Sequence, residues 1–209
     1  VTLIKKESFL KCTSLIEITI PSSVTEIEEN AFQNCSSLRK VIILAFLKTI
    51  NKGTFEKCTS LIDVIIPPSV ILIKENAFKE CKSLKQINIP LSVEEIESSV
   101  FEECTSLTDI EIPSSLTKLS DNFFRGCTSL LKISIPSSIK ELGKSVFHGC
   151  TSLEKIFFAS SVDIIGAYAF RGCTSLTQIS IESFPIKKID FSLFDGCTSL
   201  KSISIPESV

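Results

Sequence analysis

A solenoid of short stacked coils is the fold class this sequence predicts, and three observations predict it. All nine cysteines fall on one register, at Cys12, Cys35, Cys58, Cys81, Cys104, Cys127, Cys150, Cys173 and Cys197, with seven gaps of 23 residues and a last gap of 24. Leu follows three residues after every one of them, from Leu15 through to Leu200. Phe keeps the same beat, from Phe9 and Phe32 to Phe170 and Phe194. A fixed period of this length marks units that cannot bury an apolar face alone and must stack on their neighbours.

Written from each Cys, the repeat reads C-T-S-L-x-x-I-x-I-P-S-S-V-x-x-I-x-x-x-A-F-x-x. Its first element is "LIEITI": apolar residues alternate with polar ones, the two-residue period of a strand with one buried face. "PSS" follows and predicts a turn, since Pro cannot donate to a ladder and Ser side chains bond nearby backbone. A shorter alternation in "VTEI" points Val24 and Ile27 inward. "EENAFQNC" closes the repeat, and Ala beside Phe after Glu and Asn suits one short helical or 3₁₀ turn. Stacking sets each residue above its counterpart, ~4.8 Å along the axis where parallel strands pair between coils. Nine coils then give a rod ~40 Å long with vertical columns of Cys, Leu, Ile, Val and Phe as its core. The opening residues, "VTLIKKESFLKC", fit the second half of a repeat, so the sequence is expected to be part of a longer array.

The repeat pattern, carried in register along the whole chain, resembles the BspA-like class of leucine-rich repeats (LRR). The resemblance implies one LRR solenoid over residues 1–209, with partial first and last repeats. It further implies a parallel β-sheet along one face and short strands with 3₁₀ or helical turns opposite. Proteins of this class are surface adhesins of bacteria and occur in large sets in anaerobic protozoan parasites; they bind other proteins, and no catalytic residues come with the resemblance. The departures are Leu44, Ala159 and Glu182 at the Pro position, and one inserted residue in the last full repeat.

Composition sets further bounds. The 209 residues are 44% hydrophobic and carry 22 basic and 24 acidic side chains, a net charge of −2. That balance offers no electrostatic reason to expect nucleic acid or an anionic membrane as partner. No apolar run approaches the ~20 residues that span a bilayer, so no direct membrane insertion is expected in this segment. The sequence shows no signal or transmembrane segment and leaves both a cell-surface and a cytoplasmic home open.

The cysteines are expected to form a ladder of buried, reduced thiols. Zinc needs ligands that converge, whereas these stand 23 apart with His148 the one histidine in the chain. A disulfide needs Cβ atoms ~3.8 Å apart, closer than stacked parallel columns hold them. No motif for a nucleophile elbow, zinc helix, phosphate loop or calcium loop appears. His148 and the pairs Glu28–Glu29, Glu94–Glu95 and Glu102–Glu103 are expected to be solvated surface groups. "NCS" at Asn34–Ser36 matches a glycosylation acceptor within a tight turn. No cofactor, metal or enzymatic activity is expected.

With the core columns fixed, specificity must sit on the outward positions of the long strand. Four residues after Cys, Ile62 and Leu131 are apolar; seven after it, Ile42, Ile65 and Phe157 stand where other coils carry Thr, Ser, Asn or Glu. Exposed apolar groups on a rigid sheet suit a protein-binding surface. A second candidate is the turn edge, where Phe46 and Phe184 replace the Ser of "PSS", with the insertion beside Phe184. The leading expectation is a non-enzymatic interaction module for a protein or glycoprotein ligand, as a surface adhesin or an intracellular scaffold. The alternative is a structural spacer in a longer adhesin that binds elsewhere. Leu3, Phe9, Ile203 and Ile205 at open coil ends are expected to permit end-to-end self-association.

Overall fold

Within each repeat the two alternating stretches become two walls of a parallel β-solenoid, and the Cys-terminated segment becomes a third. The computed structural model describes residues 2–209. Its first wall holds three parallel sheets. They are β2 (Glu17–Ile20), β4 (Lys40–Ile43) and β6 (Asp63–Ile65); then β10 (Lys132–Ile135) with β12 (Lys155–Phe158); then β14 (Gln178–Ser180) with β15 (Ser202–Ser204). The second wall pairs β1 (Leu3–Ile4) with β3 (Glu26–Ile27), β5 (Thr49–Ile50) with β7 (Leu72–Ile73) and β8 (Glu95–Ile96), and β9 (Lys118–Leu119) with β11 (Glu141–Leu142) and β13 (Ile164–Ile165). Register is one full period throughout: Thr19 lies beside Ile42, and Ile42 beside Ile65.

This register explains the columns. The Phe rings from Phe9 to Phe194 stack in one file, neighbours 4.9 to 6.0 Å apart and tilted by 6 to 15°. Burying one such side chain is worth about 1.5–3 kcal/mol, so the file is a large part of the core. Cys35 to Cys173 are buried, while Cys12 and Cys197 at the two ends are half-buried, and all nine are free thiols. Each thiol from Cys35 onward donates to the Phe carbonyl of the coil before it, as Cys35 Sγ does to Phe9 O at 3.1 Å and Cys104 Sγ to Phe78 O at 3.2 Å. The same carbonyl also accepts a backbone N–H, Cys12 to Phe9 and Cys81 to Phe78. Cysteine thus fills a small apolar slot and satisfies the second lone pair of a buried carbonyl. Burial pushes the Cys35 thiol up to about 11 and those of Cys104 and Cys150 up to about 12.

The third wall differs from expectation: the described residues contain no helix there or elsewhere. Two residues per coil enter the left-handed region, such as Asn30 (φ 55°) and Asn34 (φ 60°). A right-handed helix cannot propagate through them. Alternate N–H groups are meanwhile committed to the next coil: Asn30 to Lys52 O, Phe32 to Thr54 O and Asn34 to Glu56 O, at 2.8 to 3.0 Å. Between them run three-residue turns, Gln33 N–H to Asn30 O and Cys35 N–H to Phe32 O. At the second left-handed position the first five coils carry Lys11, Asn34, Lys57, Glu80 and Glu103, and the last four carry Gly126, Gly149, Gly172 and Gly196.

Two charged groups of this wall also depart from the sequence reading. Glu102 is buried, 5% exposed, because it bridges Lys79 at 3.2 Å and Arg125 at 3.1 Å on the coils either side. His148 is half-buried between the coils of Arg125 and Arg171. Burial, then those two guanidiniums, lower its pKa from the ordinary 6.5.

Candidate interaction surface

On the strand wall the pleat turns the sixth and eighth residues after Cys into the core and the fifth and seventh outward, and the fourth, just ahead of the strand, is also outward. Val41, Ile43, Val64 and Ile66 are buried, whereas Ile62, Ile65, Leu131 and Phe157 are exposed. Ile65 is 61% and Phe157 52% accessible, high values for large apolar groups on a rigid sheet. Ile42 is half-buried between Thr19 and Ile65. Ile42 and Ile65 are adjacent and form one patch. Phe157 stands on β12 beside Ser134 of β10, in a different sheet.

The turn edge divides. Phe46 is 71% exposed, with the Lys48 ammonium 5.1 Å from its ring centre. Phe184, expected at the same edge, is only 4% exposed and meets Phe158 edge-on at 5.0 Å. The inserted residue makes the turn "ESFP" where other coils have three residues, and this lets the ring fold inward beneath the preceding coil. Phe184 is therefore core and leaves the candidate surface.

Sequence reasoning also passed over Ile16, Leu44, Ile71 and Leu91, all exposed. Leu44, beside Phe46, replaces the Pro of "PSS" and Leu91, two coils on, replaces its first Ser, so the departures at those turns were the available signal.

The charges of the strand face stand apart from those of the rest of the molecule. Every ion pair among the described residues lies on the turn wall or beside the insertion, as with Lys52–Glu75, Lys57–Glu80 and Arg171–Asp195. On the strand face Asp63, Asp109, Glu111, Lys132 and Lys155 are exposed and enter none of these pairs. Among the described residues no group of three or more His, Cys, Asp or Glu converges to hold a metal ion. No helix there is long and apolar enough to cross a membrane.

A family model for the BspA-type leucine-rich repeat region matches residues 1–108 and 94–209, which together span the sequence. The chain belongs to the BspA-type leucine-rich repeat family. Among solved structures, a leucine-rich repeat protein of T. pallidum is 28% identical, with 84% of this chain and 72% of that one covered and a TM-score of 0.61. A leucine-rich repeat protein of Eubacterium ventriosum, 21% identical over 98% of this chain and 70% of that one, shows the same fold at a TM-score of 0.59. No protein of curated function matches the sequence. BspA-type repeats are typically protein-interaction or adhesin modules, and leucine-rich repeat families are in general not enzymes.

Proposed function

We propose that this chain is a non-catalytic binding module that presents its strand face to a protein or glycoprotein ligand, as a surface adhesin or an intracellular scaffold. The observation that carries the reading is the exposure of Ile65 and Phe157 at positions that elsewhere hold Asn, Ser, Thr or Glu. Folding does not require an apolar residue there, whereas the centre of an interface uses one. The contact is centred on Ile42, Ile65 and Phe157, with Ile62 and Leu131 flanking. Phe46 marks the competing turn edge.

The test compares ligand binding by Ile65→Asp and Phe157→Asp with binding by Phe46→Asp. Both strand-face variants should weaken binding at least tenfold with an unchanged unfolding midpoint. Normal binding by both, with binding lost in Phe46→Asp, would assign the contact to the turn edge instead.

End-to-end association belongs to the same proposal. An apolar hollow of about 380 Å³ at the first coil, lined by Leu3, Ile4, Phe9, Ile18 and Ile20 among others, suits the exposed Ile205 end of another copy. Sedimentation should show mass rising with concentration, and Ile18→Asp should return the chain to monomer. A mass that stays monomeric at all concentrations would remove this part of the reading.

A further inference from the structure

Along the strand face, shape and charge change together from coil to coil. Three shallow grooves of about 440, 660 and 650 Å³ follow one another down the solenoid axis. The first two share Asp109 and Glu111, and the last two share Phe157. They therefore join into one furrow that begins at Ile65. Its lining has an order: the aliphatic Ile65 with the acidic Asp63 on the same strand, then the acidic pair Asp109 and Glu111, then the basic pair Lys132 and Lys155 beside Phe157.

The basic pair is a specific oddity. Lys132 and Lys155 are direct partners in the parallel ladder of β10 and β12, and like charges set opposite each other destabilise a sheet. The fold does not ask for them, since the same column holds Gln86, Gln178 and Ser202 in other coils. All four charged groups are exposed, and none is in an ion pair among the described residues. Charges kept apart from internal partners, sorted by sign along a furrow, are available to a ligand of the complementary order.

We propose that the furrow takes an extended polypeptide segment lying along the solenoid axis, with an apolar residue over Ile65, a basic block against Asp109 and Glu111, and an acidic block against Lys132 and Lys155. This rests on the strand-face reading above and names the partner class for it. The spacing fits an extended chain. Ile65 and Phe157 are four coils apart, ~19 Å at the parallel-strand spacing, which an extended segment covers in about six residues. The basic block then falls about three residues from the apolar one, and the acidic block two or three residues beyond. The basic block stays in the middle whichever way the segment runs.

The experiment uses two fluorescein-labelled synthetic peptides of identical composition and the full chain. In one, two Lys lie between two Leu and two Glu; in the other, the Glu pair lies between Leu and Lys. By fluorescence anisotropy at low salt, the Lys-centred peptide should bind at least tenfold more tightly, with the difference shrinking as salt rises. The double variant Asp109→Lys, Glu111→Lys should abolish the preference, the fourfold swap that adds Lys132→Glu and Lys155→Glu should reverse it, and Ile65→Asp should weaken both peptides. If both peptides bind equally and both lose binding in Ile65→Asp, the charge order is irrelevant and this inference fails while the strand-face reading stands. If neither peptide binds, this inference fails. If binding is indifferent to Ile65→Asp, both readings fail.

Discussion

The strand face and the turn wall are made by the same coils, yet they treat their polar groups in opposite ways. On the turn wall N–H groups are bonded to the next coil, thiols are bonded to carbonyls, and Glu102 is buried between two cations. On the strand face the sheet is broken, with no strand at 86–89 or 109–112, and among the described residues its charges enter no ion pair. The difference teaches where the fold is held. Stability concentrates in the wall of Phe, Cys and backbone ladders, which leaves the strand face open to residues chosen on other grounds.

Alkali should break the comparison most completely, because the buried thiols it deprotonates on unfolding all line the turn wall. The buried thiols have folded-state pKa values raised above the ordinary 9.0 by burial, to about 11 for Cys35 and about 12 for Cys104 and Cys150. Below pH 9 both states keep their protons and the contribution is fully present. As pH rises from 9 toward 12, the unfolded chain releases protons that the folded one keeps, so stability falls. Urea midpoints should drop steeply above pH 9 and alkylation of thiols should rise with them. Cys104→Ala should lessen the slope; an unchanged slope would mean the thiol column does not govern it.

Next in size is Phe101→Ala, expected to cost about 3–5 kcal/mol in chemical denaturation, since the cavity opens on rings of both neighbouring coils. A loss no greater than that of a strand-face variant would show that the Phe file is not the spine of the stack. Glu102→Ala should cost less, about 1–3 kcal/mol, because Lys79 and Arg125 lose a buried charged acceptor but are themselves partly open to water. Had Glu102 been a solvated rim residue, the change would be near zero.

A gain of about 0.5 kcal/mol is expected from Glu103→Gly, which removes a Cβ from a left-handed position as the last four coils already do. Destabilisation instead would show that the Glu103 side chain, packed against Gly126, outweighs the backbone strain. Smallest of all, Asp109→Ala on the strand face should stay within about 0.5 kcal/mol of wild type. A larger loss would mean that this face also holds the fold.

Most of the fold was legible because repetition converts sequence position into spatial column. Nine repeats of Cys, Leu and Phe leave one way to stack, and the outward positions of the strand follow from the pleat, so Ile65 and Phe157 emerged exposed, with Ile62 and Leu131 exposed just ahead of their strands. What stayed hidden depends on neighbours one coil away. The left-handed positions hold Glu, Lys, Asn, Ser, Tyr and Gly in different coils, a mixture with no single propensity, although Asn30, Asn76, Asn122 and the Gly run hinted at it. Glu102 looks like any surface Glu until Lys79 and Arg125 are set above and below it. Phe184 reads as an exposed turn residue until its extra turn residue and the ring of Phe158 are placed together.

The direction of the turn-wall hydrogen bonds carries a consequence for assembly. Phe9, Phe32, Phe55, Phe78, Phe101, Phe124, Phe147 and Phe170 each donate their N–H to the coil that follows, and the left-handed residues beside them do the same. Peptide dipoles aligned in this way add along the axis, as they do along a helix. The wall therefore has a sense, with acceptor carbonyls facing one end and donor amides the other. Two such stacks can join head to tail, donors onto acceptors, whereas head to head would set like groups against each other. Self-association through the coil ends would accordingly be directional and open-ended, a filament lacking the two-fold axis that closes a dimer.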